Sequence, residues 1–146
     1  MTQPHCASLQ LGLLLRQSHR RAAAALNDVL APLDLTGRHF GVLLLIDRDG
    51  STTQRDLIRE TGSDKAGMVR TVEDLETLGY LRRTRSSKDK RVSDITLTDR
   101  GQAAFDTAKE LAGRAAQDLF GAFTEAELDT LVALLTRFVN PEQPGG

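Results

Sequence analysis

At 146 residues, 40% of them hydrophobic, the chain is long enough for one domain with its own core, or for a compact lobe plus helices used in pairing. No apolar run reaches the roughly 18 residues of a membrane-spanning helix, and a formal net charge of -1 gives no overall attraction to a polyanion. The single cysteine, Cys6, allows no internal disulfide, and MTQPHCASLQ lacks the charged start and small-residue cleavage site of a secretory signal, so a cytoplasmic protein without a membrane partner is expected.

From about Ser8 to Leu30 the residues Leu11, Leu14, Leu15, Ala22, Ala25, Leu26, Val29 and Leu30 recur at helical spacing. Pro32 breaks this first helix, because proline disfavours a helical residue before it. Thr36 is placed to cap a second helix over 37–47, and GRHFGVLLLI is apolar nearly all round, which predicts a buried, central element. Asp49–Gly50 ends it. Thr53 opens a third helix, with Asp56 in the first turn where negative charge suits the helix dipole, and Leu57 and Ile58 pointing inward. Thr61–Gly62 makes a tight turn with Gly62 in a left-handed position, and Ser63 is expected to cap a fourth helix that runs to about Leu78 and closes at Gly79. Two short helices joined by a glycine-containing turn are the signature of a helix-turn-helix.

Leu81–Arg85 and Val92–Leu97 have strand character around the polar loop SSKDKR, giving a wing of two or three strands. Thr98 caps a fifth helix over about 99–120, with an apolar stripe that includes Phe105, Ala108, Leu111 and Leu119. Thr124 and Glu127 form the capping-box pattern of a sixth helix, whose Leu128, Leu131, Leu135 and Phe138 are expected to face inward until Pro141. The fold class that follows is mainly α: six helices and a β wing in a single-domain protomer, residues 1–146. Residues 36–98 form a winged helix-turn-helix lobe, while 8–35 and 99–140 form a helical region whose apolar stripes exceed what that lobe can cover.

A helix and a β-ribbon are the two elements that fit DNA grooves. Charge is distributed to match: residues 55–91 hold ten Lys/Arg against seven Asp/Glu, while the rest of the chain holds nine against thirteen. On a helical wheel Met68, Val72, Leu75 and Gly79 share the inner side of the fourth helix. Ser63, Ala66, Gly67, Arg70 and Glu73 share the outer side, with Lys65 and Val69 at one margin. Small residues let the backbone approach base edges, and Arg70 can reach a guanine or a phosphate. Glu73, Asp74 and Glu76 would be repelled by phosphate, so the N-terminal end should dock. Thr53 and Gln54 at the start of the third helix, and Arg83, Arg85, Lys88, Asp89, Lys90 and Arg91 in the wing, complete the candidate DNA-binding set. The competing reading is an ordinary solvated helix and hairpin.

Taken together, DLTGRHF, TTQRDL, VRTVEDLETLGYLRR, the D-x-R of Asp89–Arg91 and LTDRG resemble the multiple-antibiotic-resistance regulator (MarR) family over about residues 9–139. The resemblance implies a homodimeric winged helix-turn-helix repressor that binds a palindrome and releases it on binding a small ligand. It implies that Arg91 enters the minor groove, that Asp89 orients the wing, and that the first, fifth and sixth helices build the dimer. Leu11, Leu15, Leu119, Leu128, Leu131, Leu135 and Phe138 are the interface candidates. A narrow minor groove attracts arginine by its negative potential. A twofold dimer places its recognition helices about 34–36 Å apart, one DNA turn.

Part of that family senses peroxide through a cysteine at the start of the first helix. Here that position falls near Gly12, and the only tyrosine is Tyr80, so a redox role for Cys6 beside His5 is an alternative rather than the main reading. His5, His19 and His39 lack metal-ligand spacing, so no metal or other cofactor is expected. An anionic, aromatic effector could be held by Arg16, Arg20 and His39 between the helical region and the lobe. No phosphate-binding glycine loop, G-x-S-x-G or paired nucleophile and base is present, which argues against an enzyme. A winged-helix module used only for protein contacts is the remaining alternative.

Overall fold

The computed structural model describes residues 6–141. Helix α1 spans Cys6–Leu30, and a 3-10 turn, Ala31–Leu33, follows where Pro32 cannot continue an α-helix. Asp34 takes the left-handed φ of 57°, the one described non-glycine residue that does so, and redirects the chain into α2, Gly37–Asp49. The remaining helices are α3, Gln54–Thr61; α4, Lys65–Thr77; α5, Asp99–Phe120; and α6, Glu125–Val139. No single helix among the described residues is long and apolar enough to cross a membrane.

The core forms around α2, as its apolar sequence predicts. Val42, Leu43 and Ile46 meet Leu57 from α3, Met68, Val72 and Leu75 from α4, and Phe105 and Ala108 from α5. Each large side chain so buried contributes on the order of 1.5–3 kcal/mol of transfer free energy. Leu81 and Ile95 anchor the base of the wing in the same cluster.

The wing is a two-stranded antiparallel ribbon, β1 (Leu81–Arg85) and β2 (Ser93–Leu97), in the register Leu81 opposite Leu97 and Arg85 opposite Ser93. The third strand allowed by the sequence is reduced to one bridge, in which Thr52 and Ile95 exchange backbone hydrogen bonds of 3.0 and 2.8 Å. Gly50 at φ 80° and the cap at Thr53 leave no further residue to pair. β2 starts one residue later than expected, because Val92 N–H turns back to the Asp89 carbonyl at 3.0 Å.

The expectation that α6 faces inward is corrected. None of its residues is buried: Leu131 is 39% exposed and Phe138 66%, and only Leu128 is half-buried. Leu11 on α1 is likewise 50% exposed, while Leu15 and Leu119 are half-buried. The apolar stripes of the terminal helices therefore lie open on the protomer, in an amount that single surface leucines do not account for.

Candidate nucleic-acid interface

The helix-turn-helix is held by local hydrogen bonds. Thr53 caps α3 by accepting the Asp56 N–H at 3.1 Å, and Gly62, at φ 70°, ends it in the left-handed region. The cap of α4 is Asp64, not Ser63: the Asp64 carboxylate accepts the Gly67 N–H at 3.2 Å. Ser63 serves the turn instead, donating its N–H to the Thr61 hydroxyl and its own hydroxyl to the Asp64 carbonyl. Asp and Ser are equally good caps, so two capping residues in a row left the start of α4 ambiguous by one residue.

This shift changes one wheel position. Gly67, placed on the outer face by its angle, is buried beneath the cap, where a Cβ would sit 2.5 Å from Asp64 Oδ1. Its carbonyl accepts the buried Thr71 hydroxyl at 2.9 Å. Lys65, Ala66 and Arg70 are exposed as expected, while Met68, Val72 and Leu75 are buried. The far end closes with Gly79 N–H bonded to the Glu76 carbonyl and Tyr80 N–H to the Leu75 carbonyl, the paired bonds of a Schellman stop. Asp74 is taken up by a structural contact: His39 on α2 accepts the Thr36 N–H on Nδ1 at 2.9 Å and donates from Nε2 to Asp74 at 3.0 Å.

The wing adds a second basic element. Arg85, Lys88, Lys90 and Arg91 are exposed, and Arg91 is 90% so. Asp89 accepts the Arg91 backbone N–H at 3.0 Å and its Nε at 3.2 Å, folding the tip over a short turn. Those Arg91 hydrogen bonds, side chain first and backbone second, hold the Asp89 carboxyl below the ordinary carboxylate range. Arg83 differs from its wing neighbours. It pairs with Glu76 at 2.6 Å, tying β1 to the end of α4. Thr53 and Gln54 are half-buried at the start of α3.

The structure does not bring the expected effector residues Arg16, Arg20 and His39 together in one cavity. A cavity of about 600 Å³ opens between α1, the start of α2 and the α3–α4 turn. His19, Leu26, Asn27, Arg38, Ser63 and Met68 are among its lining residues. Arg16 and Arg20 are exposed on α1 and do not line it. His39 is occupied by Thr36 and Asp74. His19, Ala22, Ala23 and Leu26 fall on one stripe of α1, and Arg38 lies in the first turn of α2. Among the described residues no cluster of three His, Cys, Asp or Glu could hold a metal ion. His5 and the Cys6 side chain lie outside what is described.

Known proteins share this arrangement. Residues 33–92 match the MarR family model. The multiple antibiotic resistance protein MarR of Escherichia coli is 29% identical over 88% of this chain and 90% of its own length. A crystal structure of a mutant of that protein complexed with operator DNA superposes with a TM-score of 0.81, at 28% identity, covering 94% of this chain and 99% of that one. BpsR of Bordetella bronchiseptica, whose DNA binding is described as regulated by 6-hydroxynicotinic acid, gives a TM-score of 0.80 at 28% identity, covering 89% and 98%.

Proposed function

We propose that this chain, whose residues 33–92 match the MarR family model and which resembles MarR regulators over most of its length, works as a homodimeric repressor of a palindromic operator, released by a small anionic or aromatic ligand. The observation that carries the DNA half is the pairing of an exposed α4 start, Lys65, Ala66 and Arg70, with a wing whose tip presents Lys88, Lys90 and Arg91. Phosphate contacts from such groups set register, and base edges in the groove supply specificity. Lys65, Arg70, Arg85, Lys88, Lys90 and Arg91 are assigned to DNA, with Arg91 in the minor groove. Ser63, Gly67 and Thr53 position the helix.

The open stripes on α1 and α6 support pairing of two copies, since many large apolar side chains are exposed there and no element among the described residues covers them. For the effector, the cavity supports an anionic ligand held by His19 and Arg38. It sits directly behind the turn that aims α4, so a bound molecule would contact Ser63 and Met68 and shift the recognition helix. Regulation rather than catalysis, carried out in the cytoplasm, is the role these features suit.

The test is a fluorescence-anisotropy titration of a random-sequence duplex at several salt concentrations, beside sedimentation of the free protein. A regulator of this kind loses affinity steeply as salt rises, because each neutralised phosphate releases counterions. It sediments as a dimer at micromolar concentration. Salt-independent or absent DNA binding would favour a module for protein contacts alone.

A further inference from the structure

We propose that Asp64 is a specificity-determining residue that selects a cytosine, through its N4 amino group, in each half-site. This rests on the reading of α4 as the helix that enters the major groove. Asp64 is exposed at the leading end of that helix. Oδ1 is engaged by the Gly67 N–H at 3.2 Å, and no other hydrogen bond or ion pair to this carboxylate occurs among the described residues. The second oxygen has no hydrogen-bond partner among the described residues and belongs to an exposed side chain at the start of the helix. Gly67 keeps that geometry open, since any Cβ there would displace the carboxylate.

A carboxylate is an unusual group to carry into a polyanion. Phosphate repels it, so its presence weakens binding to every sequence, and it can be repaid only by a hydrogen-bond donor on a base edge. In the major groove two bases offer one, cytosine N4 and adenine N6. Adenine sets the N7 acceptor beside N6, which a carboxylate would oppose, whereas cytosine has only a C–H beside N4. Guanine O6 and thymine O4 are acceptors and are rejected outright, so the same oxygen discriminates by repulsion as well as attraction. Lys65 and Arg70, exposed on the same leading turns, are donors and cannot make this choice.

The experiment is selection of bound duplexes from a random pool with the wild-type protein and with Asp64→Asn, followed by anisotropy on the recovered site and on random duplex. Asparagine caps a helix as well as aspartate, so α4 is retained. The wild type should enrich a cytosine at one symmetric position of each half-site. In Asp64→Asn that preference should fall about tenfold, the lower part of the range for a base contact, with adenine gaining because an amide can bond N6 and N7 together. Binding to random duplex should strengthen severalfold as the negative charge is lost. Asp64→Ser, which also caps, should relax the position without favouring adenine. Unchanged preference in both variants, or a wild-type site without a symmetric cytosine, would overturn the assignment. A wild type that enriches no sequence would instead sink the DNA-binding reading on which it stands.

Discussion

Gly67→Ala separates the stability of the helix-turn-helix from its docking. An alanine Cβ at this position would lie 2.5 Å from Asp64 Oδ1 and 3.4 Å from Ser63 Oγ. The nearer atom is the end of a side chain, so the carboxylate can swing away, and the cost is the cap it made. Losing an N-cap hydrogen bond costs about 1 kcal/mol, while replacing glycine by alanine inside a helix returns about 1 kcal/mol. The two nearly cancel, and urea unfolding at fixed protein concentration should find little change. DNA binding should not be spared. The first turn of α4 would lose its fixed N-terminal end, and Asp64 would point a loose negative charge at the duplex. Anisotropy on the selected site should register a loss of about tenfold or more, in the range of a lost base contact. Wild-type affinity in a variant of wild-type stability would refute the docking of this turn. A stability loss of several kcal/mol would refute the claim that the close contact is relieved by one side chain.

Other perturbations follow from the same contacts. Leu135→Asp or Leu131→Asp should convert the proposed dimer to monomer in sedimentation, since an unpaired charge in an apolar seam is costly; a variant that stays dimeric would move the interface elsewhere. Arg91→Ala should weaken operator binding and erase preference for A·T flanks, with unchanged binding removing it from the minor groove. Gly101→Ala should lower the thermal midpoint markedly, because its Cβ would collide with the Tyr80 carbonyl, a backbone atom that also accepts the Thr98 N–H; overpacking of this kind costs about 1–3 kcal/mol or more, and a wild-type midpoint would contradict that packing. The Asp89 carboxyl, held low by Arg91, should keep the wing-tip turn intact at neutral pH and lose it only as pH falls through the lowered midpoint. A carboxyl titration by nuclear magnetic resonance with a midpoint at or above the ordinary aspartate value would rule out that contact.

Patterns with a physical period were legible in the sequence. The apolar run of α2, the glycines at 62 and 79, and the wing strands are local, and local rules fixed them to within a residue or two. The cap of α4 was missed because Ser63 and Asp64 are equivalent by propensity, and only the bonds of Thr61 and Gly67 decide between them. The facing of α6 was misjudged for a different reason. Amphipathic spacing reveals that a face must be covered but not whether the cover is the same chain. The lining of the cavity was the least legible. Arg16 and Arg20 are three residues and one residue from His19 in sequence yet do not line the cavity with it, and a cavity between three elements depends on the α1–α2 crossing that no local pattern encodes. His39 looked available as a ligand group until its two ring nitrogens were found engaged by Thr36 and Asp74.

Hydroxyl-radical footprinting on a duplex recovered from the random pool tests the central claim most directly. Two copies reading one operator should protect two patches on the same face of the duplex, centred about one helical turn apart and related by a twofold axis. Wing contacts should add flanking minor-groove protection outside each patch. A single patch, or two patches on opposite faces, would contradict the paired arrangement of α4 and the wing.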